Sequence, residues 1–290
     1  MKKITVFTPT YNRAYIIGKA YESLKRQTEK NFIWLVVDDG STDDTNELIK
    51  KWKKENAIDI QYIKQENQGK HIAHNTAVEN CKTEYMLILD SDDFLNDKAI
   101  EILNKKVEEI KDNEKIAGII GNRFSATDKK VIGTYMPKNI NIASGLELYQ
   151  KYGHKGDTLR LYKTKVLKNY LFPKIKGEKF IYENVVFDII DSKYKMLIIN
   201  EELYYGVYLK DGYTSNESVI KKKNFKGYAL SLESSAIYSI YAKERIKYNI
   251  LYIIWCRRYN IEMNKKIKNI FIYIIAVIFE KIKYPRFFFK

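Results

Sequence analysis

The chain has little of what most quickly classifies a protein. Two cysteines occur in 290 residues, Cys81 and Cys256, far apart and without C-x-x-C spacing. That excludes a disulfide-stapled miniature, argues against a structural zinc site, and points to a reducing compartment, the cytosol by default. No G-x-G-x-x-G follows the first apolar run and no P-loop is present, which weighs against a dinucleotide-dependent dehydrogenase and a P-loop nucleotidase. The start, Met1-Lys2-Lys3 followed by Ile4 to Phe7, has too short an apolar run for a secretory signal. Ile270 to Phe279 is ten uninterrupted apolar residues, about half of the roughly 20 that a bilayer-spanning helix needs. Internal repeats are absent, and Lys221-Lys222-Lys223 is the extent of low complexity.

What is present suits a folded enzyme-sized chain. Hydrophobic residues make up 45% and charged residues 30%, a globular rather than a disordered balance, and the length fits one large domain or one with an appendage. The net charge of +15 is regional. Residues 1–120 carry 19 Lys/Arg against 21 Asp/Glu, whereas 121–290 carry 32 against 15. Within residues 215–290, 16 basic residues face 5 acidic ones amid many Ile, Tyr and Phe, so an anionic partner is expected there, membrane headgroups or nucleic acid.

Short apolar runs alternate with helical patterns through the first half. Ile4 to Phe7, Phe32 to Val37, Ile58 to Ile63 and Tyr85 to Leu89 read as strands. Ala14 to Gln27, Thr42 to Glu55 behind a Ser41 cap, and Lys70 to Cys81 read as the helices between them. This spacing builds βαβ units and a mainly parallel sheet. A helix over Asp97 to Lys111 and a strand over Ile116 to Ile120 follow, then a glycine-punctuated region, a helix over Val185 to Tyr194, and two strands, Met196 to Ile199 and Tyr204 to Tyr208. Past Asp211-Gly212 the pattern turns helical, placing a boundary near residue 215. The domains expected are 1–214, divided into a regular first part (1–95) and a less regular second part (96–214), and a helical extension over 215–290 for membrane or subunit contact.

Ligands in an open α/β sheet bind beyond the carboxyl ends of the strands. Four successive strands end there in Thr8-Pro9-Thr10-Tyr11-Asn12-Arg13, Asp38-Asp39-Gly40-Ser41, Glu66-Asn67-Gln68-Gly69-Lys70 and Asp90-Ser91-Asp92-Asp93. The Asp90-x-Asp92 pair suits a hard divalent ion shared with substrate phosphates, since such an ion is commonly held by one or two carboxylates plus phosphate oxygens. The plainer alternative is cap and turn chemistry, with Asp93 capping the next helix. His71 and His74, three apart, lack an evident third metal ligand, and His71 also reads as a solvated or capping residue.

Thr8 to Arg13, Val36-Val37-Asp38-Asp39-Gly40-Ser41-Thr42-Asp43-Asp44-Thr45 and Leu87-Ile88-Leu89-Asp90-Ser91-Asp92-Asp93, in this order and spacing, resemble the bacterial family-2 glycosyltransferases with the GT-A fold. The resemblance is strong over about the first 95 residues, looser from Glu183 to Asn216, and absent from the tail. It implies an inverting, Mn²⁺- or Mg²⁺-dependent transfer of a sugar from a nucleotide-diphosphate donor, a UDP-sugar by expectation, to a hydroxyl of a lipid-linked or growing surface glycan. It further implies that Tyr11 stacks on the nucleobase, that Asp39 bonds the ring N–H, and that Thr8 and Pro9 form the pocket wall. Asp90 would meet the ribose and Asp92 the metal, with Arg13 and Ser91 completing the nucleotide site. His74 stands where many relatives carry arginine, and Lys70 at the same helix start would supply the missing positive charge.

The displacement needs a base on the face of the sugar opposite the diphosphate. The resemblance places it in Gly177-Glu178-Lys179-Phe180-Ile181-Tyr182-Glu183-Asn184, where Glu183 is the assignment, Asp188 and Glu178 are weaker candidates, and a helix cap is the alternative for Glu183. His154, Asp157 and the stretch Asp211 to Asn216 are weaker acceptor-side expectations that also read as turns. The tail, with Lys265, Lys266 and Lys268 before its apolar run and Lys281, Lys283, Arg286 and Lys290 after it, suits the headgroup region of an inner membrane face. A core helix or a homo-oligomer interface is the alternative. Other functions consistent with parts of the sequence are a sugar nucleotidyltransferase, a nucleic-acid binder and a membrane-binding scaffold. The overall reading is a nucleotide-sugar enzyme with no nucleic-acid partner.

Overall fold

The computed structural model describes residues 2–207, 216–264 and 269–283, the last three as backbone alone. The expected boundary near 215, Tyr208, the stretch Asp211 to Ser215, Lys265, Lys266, Lys268 and the basic and aromatic residues from Tyr284 onward lie outside the described residues.

The first half is the expected alternation. Strand β1 (Ile4–Thr10) leads to helix α1 (Gly18–Lys25), β2 (Phe32–Asp38), α2 (Thr45–Glu55), β3 (Ile60–Lys64), α3 (Lys70–Asn80) and β4 (Tyr85–Ile88). These strands pair in parallel in the order β3-β2-β1-β4. The chain leaves β1 in one direction for β2 and returns on its other side as β4, so the switch in strand order opens a crevice at the carboxyl ends of β1 and β4. Beyond β4 the sheet becomes mixed. Short β5 (Phe94–Leu95), helix α4 (Ala99–Glu108), β6 (Ile116–Ser125), β7 (Ile142–Ala143), a π-helical turn (Glu147–Lys151), β8 (Thr158–Lys163), α5 (Thr164–Leu167), α6 (Asn184–Lys193) and β9 (Lys195–Gly206) follow. β8 runs antiparallel between β4 and β6, β9 lies parallel to β6, and β5 and β7 both pair antiparallel with β9 on the side away from β6, giving nine strands among the described residues.

Period-2 alternation divides the buried residues between two layers. Ile4, Val6, Trp34 and Leu87 pack on one face against Tyr21, Ile49, Trp52 and Leu103 from α1, α2 and α4. Phe7, Leu35 and Met86 face the other layer, with Ala77 of α3 and Val186, Phe187 and Ile190 of α6. Among the described residues four helices follow: α7 (Glu217–Lys223), α8 (Phe225–Tyr238), α9 (Ala242–Tyr259) and α10 (Ile270–Lys283). Their own core joins Leu232, Tyr252, Trp255 and Ala276. Polar bonds fasten them to the sheet domain: Asn184 Nδ2 donates to the Ser231 carbonyl at 3.0 Å, and Ser231 Oγ donates to Asn184 Oδ1 at 2.8 Å. No described helix is long and apolar enough to cross a membrane.

Three local expectations are corrected. Helix α1 starts four residues late because the Ala14 amide donates to Asp43 Oδ2 at 2.9 Å, leaving residues 14–17 as a turn. Ser41 does not cap α2; its hydroxyl accepts the Asn12 amide at 2.9 Å, and Asp43 takes the Thr45 amide at 3.1 Å. The two strands expected around residues 196–208 are one, β9, which passes through an irregularity opposite Gly121 to Arg123. Polar Asn200, Glu201 and Glu202 fall at that point, and a bulge admits them without ending the strand.

Candidate active site

The carboxyl ends of β1 and β2 are stitched into one rim. The Asp39 amide donates to the Thr10 carbonyl at 2.8 Å, and Asn12, held at φ +52°, accepts the Thr42 amide at 2.8 Å. Asp39 is buried and turns its carboxylate on the loop after β3: Gln65 Nε2 and the Gln68 amide donate to Oδ1, and the Gly69 amide to Oδ2, at 2.7–2.9 Å. Gly69 has φ +99°, and a Cβ there would lie 1.9 Å from the Lys179 carbonyl oxygen. Glycine therefore lets the start of α3 press against the segment that ends in Glu183.

That contact brings two distant side chains together. Lys70 Nζ lies 2.8 Å from Asp90 Oδ1 and 3.1 Å from Glu183 Oε1. Burial favours a neutral Lys70, but Asp90 and Glu183 outweigh it and raise the ammonium's pKa. Burial likewise raises Asp90, yet the Lys70 charge leaves its carboxyl below the ordinary value. Asp92 is different: burial and then the Asp90 charge raise it, with Arg123 and Arg13 pulling the other way.

Asp93 is not a cap. It is fully buried, held by Arg123 Nη2 at 2.7 Å and by the Tyr204 hydroxyl at 2.7 Å, while Arg123 Nη1 reaches Asp157 at 2.9 Å. The same Tyr204 hydroxyl accepts the Asp90 amide at 3.2 Å. A Cβ on Gly206 would lie 1.9 Å from Arg123 Nε, so that glycine makes room for the guanidinium. Arg123 and Tyr204 escaped the sequence reading. The available signal was a lone arginine in the otherwise uncharged strand β6.

The other expected residues divide in the same way. Tyr11 presents a half-exposed ring at the rim, Arg13 lies over the Tyr15 ring at 5.7 Å, and Ser91 is buried beside the carboxylates. Pro9 is buried and Thr8 faces the core, where its hydroxyl accepts Trp34 Nε1 at 2.9 Å; Thr8 shapes the pocket from beneath and does not line it. His74 is also withdrawn. Its ring lies edge-on to Phe7, Phe172 and Phe187, neither nitrogen has a partner, and burial pushes its pKa down to about 4. A neutral ring in that cage does not replace an arginine. His71 is likewise buried and pushed down to about 4, not solvated.

Of the carboxylates considered for the base, Glu178 accepts the Lys226 and Gly227 amides at the start of α8, so it is a cap. Asp188 turns to Asn184 and Ser234 at 3.1 and 3.2 Å, into the α6–α8 junction. Glu183 stands at the N-terminus of α6 without making a side-chain cap, its carboxylate more than half exposed beside Lys70. Asp157 joins the rim through Arg123, whereas His154 is buried away from it against Thr134 and Tyr149.

The residues suit a divalent ion completed by substrate. Asp90 and Asp92 bring two carboxylates to one edge, and burial and then the Asp90 charge raise the Asp92 carboxyl, both of which a bound cation would offset. Among the described residues, no group of three His, Cys, Asp or Glu side chains could hold a metal ion, so an ion at this edge would need its remaining ligands from phosphate and water.

The sequence profile of glycosyl transferase family 2 matches residues 5–171. The chain belongs to that family. Glycosyltransferase GlyA of Streptococcus pneumoniae is 32% identical over 191 residues, 64% of this chain but 26% of GlyA. The chain thus spans about a quarter of that relative's length. A GalNAc(5)-diNAcBac-PP-undecaprenol beta-1,3-glucosyltransferase of Campylobacter jejuni is 26% identical over 235 residues, 79% of this chain and 72% of the relative. The fold is also that of S. aureus TarS 1-349, solved with UDP-GlcNAc, with a TM-score of 0.62 and 18% identity over 98% of this chain and 82% of TarS 1-349. Family and GT-A fold are as the motifs implied.

Proposed function

We propose that this protein transfers a sugar with inversion from a UDP-sugar to a hydroxyl of a lipid-linked or growing surface glycan. The observation that carries the reading is the convergence of Asp90 and Glu183 on Lys70, with the Asp92 carboxylate feeling the Asp90 charge, at the strand ends where the sequence also puts the exposed Tyr11 ring. Tyr11 stacks on the base, and Asp39, besides clamping its loop, offers remaining lone pairs to a ring N–H. Asp90 meets the ribose. Asp92 would hold Mn²⁺ or Mg²⁺, whose chemistry there would be to neutralise charge on a diphosphate leaving group. Lys70 lies where an anionic donor would meet it, and Glu183, on the acceptor side, takes the proton of the attacking hydroxyl. The UDP-GlcNAc bound to TarS and the lipid-linked glycan named for the Campylobacter relative support the donor and acceptor classes.

Peripheral attachment to the inner membrane face belongs to the same proposal. Helix α10 exposes Phe271, Ile274, Ile275 and Ile278, a stripe at helical spacing, in the most basic part of the sequence.

The test is thermal stabilisation by nucleoside diphosphates with and without Mn²⁺, together with Glu183→Gln. UDP with metal should stabilise the protein most. The variant should keep that shift while turnover falls roughly 10²–10⁴-fold. Unchanged turnover would remove Glu183 from the mechanism.

A further inference from the structure

Strands β6 and β9 meet the acidic turn after β4 at one point. Arg123 of β6 and Tyr204 of β9 are register partners, set beside the irregularity that interrupts the pairing between Gly121 and Arg123. A bulge of that kind re-aims a side chain and is common next to active sites. Here both side chains end on Asp93: Arg123 Nη2 reaches Oδ1 and the Tyr204 hydroxyl donates to Oδ2, each at 2.7 Å. The hydroxyl has one proton, given to Asp93, so toward the Asp90 amide, 3.2 Å away, it is the acceptor. One oxygen atom thereby fixes both ends of the Asp90 to Asp93 turn, which the Asp93 amide closes on the Asp90 carbonyl at 3.1 Å.

The turn works against itself electrostatically. Asp90, Asp92 and Asp93 put three carboxylates within four residues, Asp93 fully buried, and like charges so close repel. Arg123 is the cation set against them. Beyond Asp93, its charge reaches Asp90 and Asp92, opposing in both the burial that raises them. Asp157, just before β8, anchors the guanidinium on its other nitrogen at 2.9 Å, and Gly206 leaves the space that it fills. Strand pairing continues the support directly after Asp93, where β5 lies on β9 with Phe94 opposite Tyr205 and Leu95 opposite Tyr204.

The groups behind a metal ligand govern an ion's affinity nearly as strongly as the ligand does, because they fix where its oxygens stand. We propose that Arg123 and Tyr204 are the positioning residues of the ion site, holding the Asp90 to Asp93 turn in the shape that presents Asp92 to a divalent cation and Asp90 to the ribose. They act through Asp93 and through the Asp90 amide. The inference rests on the ion reading given above for Asp92, and it makes the mixed half of the sheet a working part of the nucleotide site.

The experiment titrates the full chain with Mn²⁺ at saturating UDP, by calorimetry and by melting temperature, each variant against its own metal-free baseline. Tyr204→Phe removes a single hydroxyl. Its apparent Mn²⁺ affinity should fall about 10–100-fold, while the thermal shift with UDP alone stays at the wild-type value. Arg123→Lys keeps the charge but loses the planar fork that serves Asp93 and Asp157 together, and its affinity should fall at least as far. Tyr205→Phe is the control on the same strand, since that hydroxyl donates to Glu202 at 2.8 Å rather than to the turn; it should bind Mn²⁺ as wild type does. Equal Mn²⁺ affinity in wild type and Tyr204→Phe, or an equal loss in Tyr205→Phe, would overturn the inference alone. If UDP stabilises wild type and Mn²⁺ adds nothing, the ion reading itself fails and the positioning role falls with it.

Discussion

Asp188 carries a pH signature that can be read directly. Burial pushes its carboxyl up to about 6, against the opposing bonds from Asn184 and Ser234. A raised carboxyl favours the protonated folded state, so its contribution to stability is present below an unfolded pKa of about 4 and is lost as pH rises through the folded value. Asp188→Asn keeps an acceptor for both donors without the charge. It should match wild type near pH 4 and exceed it by up to about 3 kcal/mol at pH 7, as read by urea unfolding at the two pH values. A variant of equal or lower stability at pH 7 would contradict the burial argument. Single residues were legible in the sequence only where a strand end exposed them. Tyr11, Asp90 and Asp92 follow β1 and β4 directly, so position alone put them at the rim. His74 was misplaced because α3 turns that face toward Phe172 and Phe187, which lie about a hundred residues further on.

At the scale of elements, the segment from Gly177 to Glu183 is held from two sides. Gly69 presses on its Lys179 carbonyl, and Asn224, between α7 and α8, accepts the Lys179 and Phe180 amides at 2.8 and 3.0 Å. Asn224→Ala leaves both amides without that acceptor, at a net cost of about 1–3 kcal/mol. Turnover should fall with the UDP shift unchanged, and Asn224→Asp, which retains an acceptor oxygen, should recover much of it. Equal turnover in wild type and the alanine variant would show that the clamp does not position Glu183. The parallel half of the fold was legible because its strands pair with near neighbours in sequence and end in turn chemistry. The mixed half was not. β4 pairs with β8 and β6 with β9 across about eighty residues, and such pairing leaves no local periodic mark. The link from Arg123 to Asp93 and Tyr204 exists only once those strands are side by side.

For the whole molecule, charge and apolar surface are concentrated in the last helices. Ala276 and Glu280 of α10 pack toward α9, Glu280 pairing with Arg257 at 3.0 Å, while Phe271, Ile274, Ile275 and Ile278 face outward. Vesicles containing phosphatidylserine should therefore sediment the protein, neutral vesicles should do so weakly, and added salt should reduce the effect. Phe271→Glu with Ile275→Glu should leave it in the supernatant. Equal sedimentation of variant and wild type would assign the stripe to protein contact. The Asn224 clamp gives this attachment a further meaning. Asn224 joins α7 to α8 and accepts two backbone amides of the segment that carries the proposed proton acceptor, so a shift in the helical part of the molecule would be felt there as a change in chemical speed. If the terminal helices do rest on lipid as proposed, docking and release would reset the rate as well as the place of reaction.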